Sequence, residues 1–353
     1  MVSSFSISGR PIGPGHAPYV VAELSGNHNG ELARALRLVE AASEAGADAV
    51  KLQTYRADTI TLDYDGPGFV LQAGAWAGRR LYELYEEAHT PWEWHEPLFE
   101  RARSLGMEIF SAPFDASAVD FLEGLDCPAY KIASPEIVDL PLIERVARTG
   151  KPMILSTGMA SLVEIEEAVA AARGAGASEL CVLHCISGYP TPPEEAGLAT
   201  INDMAQRFGL PIGLSDHSMD TLVATVAVGL GASLVEKHLT WSRDEGGVDS
   251  VFSLEPAEFR RLVVDVATAH RALGEASYAL TESEQASLAS RRSLYVVSDV
   301  KRGESLTATN IRSIRPNLGM APKLLPAVLG YRAARDLKRG EPLAIDMIDG
   351  FED

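Results

Sequence analysis

A short, apolar, β-rich run followed by an amphipathic helical pattern recurs eight times in the first 275 residues of this chain. Such alternation predicts a parallel sheet covered by its crossover helices, and eight units of this kind are typical of a TIM (β/α)8 barrel. The predicted strands are residues 19–24, 49–55, 108–114, 129–134, 153–158, 180–185, 212–218 and 234–240. The predicted helices are residues 32–45, 92–105, 116–122, 140–148, 162–173, 199–208, 221–230 and 256–273.

Local signals support the helix assignments and favour the barrel over a doubly wound open sheet. Ser161 and Glu164 form a capping-box pattern at the start of one helix. No GxGxxG turn follows the first strand, as a dinucleotide-binding open sheet would require. Glycines fall where the predicted helices end, at positions 46, 106, 150, 176, 209 and 231.

The remaining segments define the domain organisation. Residues 67–87 are rich in Gly, Trp and Tyr and predict a loop excursion or hairpin over the barrel mouth. We expect a barrel domain over residues 1–275, a polar linker over 276–292 and a compact β-rich module over 293–353. The module carries a near-repeat, KRGE at 301–304 and at 338–341, which indicates two related turns. A module of this size is marginal alone, so we expect it to pack on a barrel.

Charge and cysteine content exclude several functions. The 353 residues include 31 Lys and Arg against 49 Asp and Glu, a formal charge of −18, and no basic tract. Nucleic acid and anionic membrane surfaces are therefore not expected partners, and an anionic substrate would need a few local lysines. Three cysteines without a CxxC pair indicate reduced thiols. Because residues 1–15 also lack an apolar leader segment and no run is long enough to span a membrane, we expect a cytoplasmic protein.

Two lysines interrupt otherwise apolar predicted strands, at the ends where barrel enzymes place their active sites. Lys51 and Lys131 either pair with carboxylates or hold a phosphate or carboxylate of a substrate. Hydroxyls at comparable strand ends, from Ser134, Ser156 and Ser215, favour the second interpretation.

Two histidines occupy the same position at the ends of the last two predicted strands. His217 and His238 predict a divalent metal site, and imidazole nitrogen suits Mn²⁺, Co²⁺, Fe²⁺ or Zn²⁺ better than Ca²⁺. With two protein nitrogens, such a site stays open to water and a substrate oxygen. His28 and His184 are weaker candidates, because a hydrogen-bonded structural role explains either.

Nine motifs occur in order along the first 260 residues: AELSGNHNG, AGADAVKLQTY, FSAPFD, AYKIASPEI, ILSTGMA, YPTPPEEAGL, GLSDHS, VEKHLT and FSLEPAEF. The segment RRSLYVVSDVKRGESLTATNIRSIRPNLGM follows them. Together they resemble the sialic acid synthase family, which condenses phosphoenolpyruvate with sugars and carries a C-terminal antifreeze-like (SAF) domain. The first-strand motif and the long segment 76–95 are more similar to the pseudaminic acid branch of that family than to the N-acetylneuraminate branch. FSAPFD departs from the family pattern, because Ala112 stands where a hydroxyl residue is usual.

The resemblance implies a condensation of phosphoenolpyruvate, water and the open-chain form of 2,4-diacetamido-2,4,6-trideoxy-L-altrose, giving pseudaminic acid and phosphate. His217 and His238 would bind a divalent metal ion, Mn²⁺, Mg²⁺ or Co²⁺, and Glu23 would stabilise the developing positive charge or orient the attacking water. Phosphoenolpyruvate would be bound by Lys51, Ser111, Lys131, Ser134, Ser156 and Ser215. The sugar would be positioned by Gln53, Glu136, Tyr189, Asp249 and Arg315. Arg315 would come from a partner subunit, which implies a domain-swapped homodimer.

Other functions remain open from the residues. N-acetylmannosamine or a diacetamido mannose-type sugar would give an N-acetylneuraminate or legionaminate synthase instead. A metal-dependent aldolase or isomerase would use the same barrel but gives the C-terminal module no role, and a non-catalytic glycan- or ice-binding protein leaves the lysines and histidines unexplained. Phosphate release from phosphoenolpyruvate that depends on an added aldose and is abolished by a chelator separates the synthases from the aldolase or isomerase and from the binding protein.

Overall fold

The computed structural model describes residues 4–352 in two compact units, which divide between Gly274 and Glu275. Residues 1–3, the start of the segment examined for a leader, and residue 353 lie outside the described range.

Eight parallel strands of the first unit close into a barrel, which confirms the predicted fold. Each strand pairs with the next along the chain, and the last pairs with the first. The barrel strands are β3 (Tyr19–Glu23), β4 (Ala49–Thr54), β5 (Glu108–Pro113), β6 (Tyr130–Ile132), β7 (Met153–Ser156), β8 (Leu180–Cys185), β9 (Ile212–Asp216) and β10 (Leu234–His238). All eight predicted runs thus contain a strand, and the polar residues that follow them lie at one rim.

The helices of the first unit cover the barrel and bury its apolar strand residues in one continuous core. They are α1 (Leu32–Ala45), α2 (Ala57–Ile60), α3 (Leu81–Ala88), α4 (His95–Ser104), α5 (Ala116–Gly124), α6 (Leu140–Ala147), α7 (Leu162–Gly174), α8 (Thr200–Phe208), α9 (Leu222–Gly229) and α10 (Pro256–Leu273). Short 3-10 segments are Trp92–Trp94, Ser134–Val138, Pro193–Glu195, Arg243–Glu245 and Ser250–Phe252.

The predicted helix-end chemistry is present. Ser161 Oγ accepts from the Glu164 backbone N–H at 3.4 Å, and the Glu164 carboxylate accepts from the Ser161 N–H at 2.7 Å, the two bonds of a capping box. Gly46 and Gly209 end α1 and α8 with φ of 90° and 64°, a left-handed conformation that glycine adopts without a steric penalty.

A hairpin that the sequence patterns did not predict precedes the barrel. Strands β1 (Phe5–Ile7) and β2 (Arg10–Ile12) pair antiparallel. Phe5, Ile7 and Ile12 are buried in the barrel core.

The predicted excursion between the second and third barrel strands is a hairpin-like turn. Val70 and Arg80 form an antiparallel bridge, and the Gly78 N–H donates to Leu71 O at 2.7 Å. Trp76 lies at the tip, and its indole N–H donates to Val248 O at 2.7 Å. The turn is therefore anchored to the loop that follows β10.

The second unit is built from short elements around its own apolar core. Its strands and helices are α11 (Glu282–Gln285), β11 (Ser293–Val296), β12 (Ile311–Ile314), α12 (Leu325–Val328), β13 (Arg332–Ala333) and β14 (Ile348–Asp349), with 3-10 segments Ala286–Ser290, Pro322–Leu324 and Ile345–Met347. The region expected to be a linker contains α11 and the first of these 3-10 segments.

The two KRGE turns of this unit are related by reciprocal bonds. Asp336 accepts from the Arg302 backbone N–H at 2.9 Å, and Asp299 accepts from the Arg339 backbone N–H at 2.9 Å. Between the turns, Val300 and Leu337 exchange backbone hydrogen bonds of 3.0 and 2.8 Å. An aspartate from each half thus completes the turn of the other.

No helix within residues 4–352 combines the length and apolar character needed to cross a lipid bilayer.

Candidate active site

A cavity of about 660 Å³ lies within the barrel unit at the carboxyl ends of its strands. This is the end at which TIM barrels carry their active sites, because the strand–helix loops converge there. Thirteen residues predicted for the site belong to this unit, and all but Glu23 and Ser111 line the cavity. The eleven that line it are Lys51, Gln53, Lys131, Ser134, Glu136, Ser156, Tyr189, Ser215, His217, His238 and Asp249.

Two lysines and two glutamates form a buried charged group at the cavity floor. Lys131 Nζ lies 2.9 and 3.0 Å from the two carboxylate oxygens of Glu236, and Lys51 Nζ lies 3.7 Å from one of them. Lys51 also pairs with Glu23, which borders the cavity through this contact. Each lysine has a carboxylate partner and also lines the cavity. Pairing with a carboxylate and binding a substrate anion are therefore compatible roles.

The pKa values of these groups follow from burial and mutual attraction. Burial raises the pKa of Glu23 and outweighs its attraction to Lys51. Burial alone would lower the pKa of Lys51, but the charges of Glu23 and Glu236 raise it above its ordinary value. At Glu236, burial alone would raise the pKa, but the charges of Lys131 and Lys51 outweigh burial and lower it. At Lys131, burial is the larger effect and lowers the pKa of the ammonium group. The floor therefore holds two lysine–glutamate pairs whose formal charges cancel.

Hydroxyls adjoin the charged floor. Ser215 Oγ donates to Glu236 at 3.3 Å, and Ser134 Oγ accepts from the Gly158 backbone N–H at 3.0 Å. Ser156 Oγ is buried and has no hydrogen-bond partner among residues 4–352. A side chain at Gly158 would collide with this cluster, since an added Cβ would lie 2.7 Å from Ser134 Oγ. The Ser156 hydroxyl is therefore free to bond an anion, and the missing side chain at Gly158 lets its backbone N–H lie close to Ser134.

The structure places Ser111 outside the lining of the cavity, and its assignment to phosphoenolpyruvate stays a prediction that this geometry does not support. Leu52 is its register partner across β4 and β5, and side chains alternate between the two faces of a strand. Lys51 and Gln53 face the cavity, which turns Ser111 toward the helices, where it bonds Thr54 Oγ1 at 2.6 Å. Ala112 pairs in register with Gln53, so the position that faces inward on β5 has no hydroxyl.

His217 and His238 lie side by side, with ring centroids 5.4 Å apart. His217 Nδ1 lies 2.9 Å from the Ile186 carbonyl oxygen, which can only accept. In the neutral imidazole the proton is therefore on Nδ1, which leaves the lone pair of Nε2 for a ligand. The His238 ring forms no hydrogen bond among the described residues, and its Nδ1 is a buried atom without a partner.

This pair fits a divalent metal ion. Burial lowers the pKa of His238 well below its ordinary value, and the positive charges of Lys51 and Lys131 lower it further, so its imidazole is neutral as a ligand must be. No cluster of three or more His, Cys, Asp or Glu side chains suited to a metal occurs within residues 4–352. A metal bound by the two histidines would therefore keep most of its coordination positions for water and substrate.

Four polar residues predicted to position a sugar line the same cavity: Gln53, Glu136, Tyr189 and Asp249. Gln53 Nε2 donates to Glu23 at 3.0 Å, and Asp249 accepts a short hydrogen bond from Ser25. Burial raises the pKa of Asp249 and raises that of Glu136 to about 7. Tyr189 lies against His217, with 4.4 Å between ring centroids.

Among the cavity-lining residues without a role assigned from the sequence, Glu236, Ser25 and Trp76 contact predicted ones. Glu236 lies beside the predicted lysines, Ser25 binds Asp249, and Trp76 packs against Tyr189 with ring centroids 5.3 Å apart. Glu236 carried a usable signal, because an acid two residues before His238 must share its face of the strand.

His28 and His184 do not line the cavity. His184 Nε2 lies 2.7 Å from Ala196 O, and His28 packs edge-on against Trp94, so both have the structural role that was the alternative. Arg315 belongs to the second unit, is exposed, and has no hydrogen-bond or ion-pair partner within residues 4–352.

Comparison with known proteins identifies the family. The model of the NeuB family matches residues 38–278, and the model of the SAF domain matches residues 291–349. The chain belongs to the NeuB family. Its C-terminal unit contains the SAF domain, and the resemblance noted in the sequence is confirmed.

Several relatives of this NeuB-family chain have names. It is 43% identical over 336 residues to the pseudaminic acid synthase of Helicobacter pylori, covering 94% of this chain and 98% of that protein. It is 35% identical to the N,N'-diacetyllegionaminic acid synthase of Legionella pneumophila, covering 99% and 100%. The crystal structure of N-acetylneuraminic acid synthetase from Leptospira borgpetersenii superimposes with a TM-score of 0.73 at 30% identity, covering 82% of this chain and 96% of that one.

Proposed function

We propose that this NeuB-family chain is a pseudaminic acid synthase, which condenses phosphoenolpyruvate with 2,4-diacetamido-2,4,6-trideoxy-L-altrose and water. The observation that carries the proposal is the cavity that joins a buried lysine pair to two neighbouring imidazoles. Relatives named pseudaminic acid synthase, at 40–43% identity, support the choice of sugar.

The lysine pair binds the anionic substrate. Phosphoenolpyruvate brings a carboxylate and a phosphate, and Lys51 and Lys131 supply two ammonium groups that are otherwise held by Glu236 and Glu23. Ser134, Ser156 and Ser215 offer hydroxyls beside them, as charge-assisted anion binding requires. Substrate oxygen then replaces part of the contact between Glu236 and the lysines.

The imidazole pair marks the aldehyde end of the cavity. His217 and His238 would hold a divalent ion, Mn²⁺, Mg²⁺ or Co²⁺, which when bound supplies a Lewis acid for the sugar aldehyde. Bonding to Ile186 fixes the orientation of His217, and Tyr189 packs on its ring. The chain thus keeps the electrophilic carbon and the enol carbon at adjoining sites.

Bond changes balance without a further reactant. Carbon 3 of phosphoenolpyruvate attacks the aldehyde carbon, the aldehyde oxygen gains a proton, and water adds to carbon 2. The tetrahedral phosphohemiketal then breaks the bond between carbon 2 and the phosphate oxygen; the hydroxyl on carbon 2 becomes the ketone, and its proton leaves with the phosphate. Glu23 is suited to take the proton of the water, because burial raises its pKa toward the range of an effective base.

Four polar residues that line the cavity hold the sugar. Gln53, Glu136, Tyr189 and Asp249 present amide, carboxyl and phenol groups. Glu136, with a pKa of about 7, can both donate and accept near neutrality. We assign Arg315 to an amide group of the sugar in a partner subunit, because its guanidinium is exposed and without a partner in its own unit.

Assembly and location complete the proposal. A domain-swapped homodimer would bring Arg315 to the barrel of a second copy. We place the enzyme in the cytoplasm, since Cys127, Cys181 and Cys185 are free, buried thiols.

Phosphate release tests the function. Enzyme, Mn²⁺ and phosphoenolpyruvate are combined with the altrose-type diacetamido sugar, the mannose-type diacetamido sugar or N-acetylmannosamine, and phosphate is measured. We expect release with the altrose-type sugar, little without sugar, and loss after chelation. Release without any sugar contradicts the condensation, and preference for the mannose-type sugar would make the chain a legionaminate-type synthase. His238→Ala serves as the inactive control.

A further inference from the structure

A single buried ammonium group links the segments that carry the two candidate metal-binding histidines. Lys237 directly precedes His238 and is the register partner of Asp216, which directly precedes His217. Glu236 and His238 line the cavity, so Lys237 between them faces the opposite side of the strand. It therefore lies behind the histidines and does not touch a bound substrate.

All three N–H donors of this ammonium group have acceptors. Lys237 Nζ lies 2.6 Å from Asp216 Oδ2, 2.6 Å from Ser218 O and 3.3 Å from Ser218 Oγ. The second oxygen of Asp216 accepts from the Ser218 backbone N–H at 2.9 Å. The residues on both sides of His217 are thus tied to the residue before His238.

The contacts exceed what charge neutralisation requires. A lysine that only compensated the buried Asp216 carboxylate would need one contact, with that carboxylate. Lys237 also reaches past His217 to the backbone and hydroxyl of Ser218. Its side chain is completely buried, so water cannot replace these bonds.

We propose that Lys237 is a positioning residue that fixes the separation of His217 and His238, and thereby the affinity of the site for a divalent cation. The inference rests on the metal site of the proposed function. Because no third His, Cys, Asp or Glu completes a metal cluster with these two imidazoles within residues 4–352, a change in their separation acts directly on the site.

Manganese binding without substrates tests this role. Metal-free protein is titrated with Mn²⁺, and the free ion is followed by electron paramagnetic resonance. We expect Lys237→Met to weaken binding about 10- to 100-fold, the usual effect of removing a group that orients a ligand. Val235→Ala is the matched control, since it truncates a buried residue on the same face of β10 whose register partner is Leu214 instead of Asp216. It should lower the melting temperature and leave the Mn²⁺ affinity unchanged.

A double variant separates positioning from charge compensation. Lys237→Met with Asp216→Asn removes both charges, so thermal stability should recover relative to Lys237→Met while Mn²⁺ binding stays weak. This variant also carries the test if the single one does not fold.

Two outcomes overturn the inference alone: wild-type Mn²⁺ affinity in Lys237→Met, or recovery of both properties in the double variant. If wild type binds Mn²⁺ no better than His238→Ala, the metal site itself fails and the inference with it. Phosphate release by wild type then reports separately on the condensation.

Discussion

Replacing Glu236 by glutamine removes the carboxylate that the two buried lysines share. Glu236 contacts Lys131 through both oxygens, at 2.9 and 3.0 Å, and Lys51 at 3.7 Å, and all three are nearly inaccessible to solvent. Removing one partner of a buried pair typically costs about 3–5 kcal/mol, because the remaining charge cannot be hydrated. For a unit of this size, that corresponds to a melting temperature lower by about 6–10 °C.

Phosphoenolpyruvate should reverse part of this loss. The variant leaves both ammonium groups without Glu236, so an anion in the cavity regains the missing attraction. A ligand at 100 times its Kd stabilises the folded state by about 2.7 kcal/mol, and tighter binding increases that value. We therefore expect a larger thermal shift with phosphoenolpyruvate in Glu236→Gln than in wild type, although condensation is slower.

The matched control applies the same change to an ion pair at the surface. Glu258 pairs with Arg243 and its side chain is 41% exposed, so Glu258→Gln should cost less than about 1 kcal/mol. Thermal denaturation with and without phosphoenolpyruvate measures all three proteins. Equal losses in the two variants, or a Glu236→Gln variant that phosphoenolpyruvate no longer stabilises, would refute the reasoning.

Three further changes have defined outcomes. Burial raises the pKa of Glu136 from 4.5 to about 7, so the folded state keeps a proton that the unfolded state releases, and stability falls as pH rises between those values. Glu136→Gln should reduce that fall by about 2–3 kcal/mol in denaturant titrations at pH 5 and 8, and an unchanged pH dependence would exclude this group as its source. Trp76→Ala should raise the KM for the sugar about two- to tenfold, with little change for phosphoenolpyruvate, because the ring packs on Tyr189; equal changes in both constants would contradict this. Arg315→Ala should raise the sugar KM alone, and mixing it with His238→Ala should restore partial activity, whereas absence of rescue argues against a swapped dimer.

The barrel was predictable because its signals are local. Each strand lies inside an apolar run, and turns such as that at Gly46 are set by residues adjacent in sequence. The β1–β2 hairpin was not predicted because its three-residue strands are too short to show a periodic pattern. Phe5 and Ile12 are buried by contact with the barrel core, and no pattern in the neighbouring sequence indicates that contact.

The site was less predictable because its contacts are distant in sequence. Lys131 and Glu236 meet across 105 positions, and only closure of the barrel brings them together. The sequence alone cannot place Ser111, because it does not specify which face of β5 points inward; the register with β4 does. Its neighbour Ala112 occupies the inward position. A shift of one residue in register would turn the Ser111 hydroxyl from the helix side of the strand to the cavity side.

The reciprocal turns of the C-terminal unit bear on how that unit folds. Asp336 of one half closes the turn at Arg302, and Asp299 of the other half closes the turn at Arg339. A half formed by itself would keep the backbone bond within its own turn but would lack the aspartate that accepts from Arg302 or Arg339 and the backbone partner of Val300 or Leu337. The unit should therefore fold and unfold all-or-none despite its short elements, and neither half should persist as a partly folded intermediate.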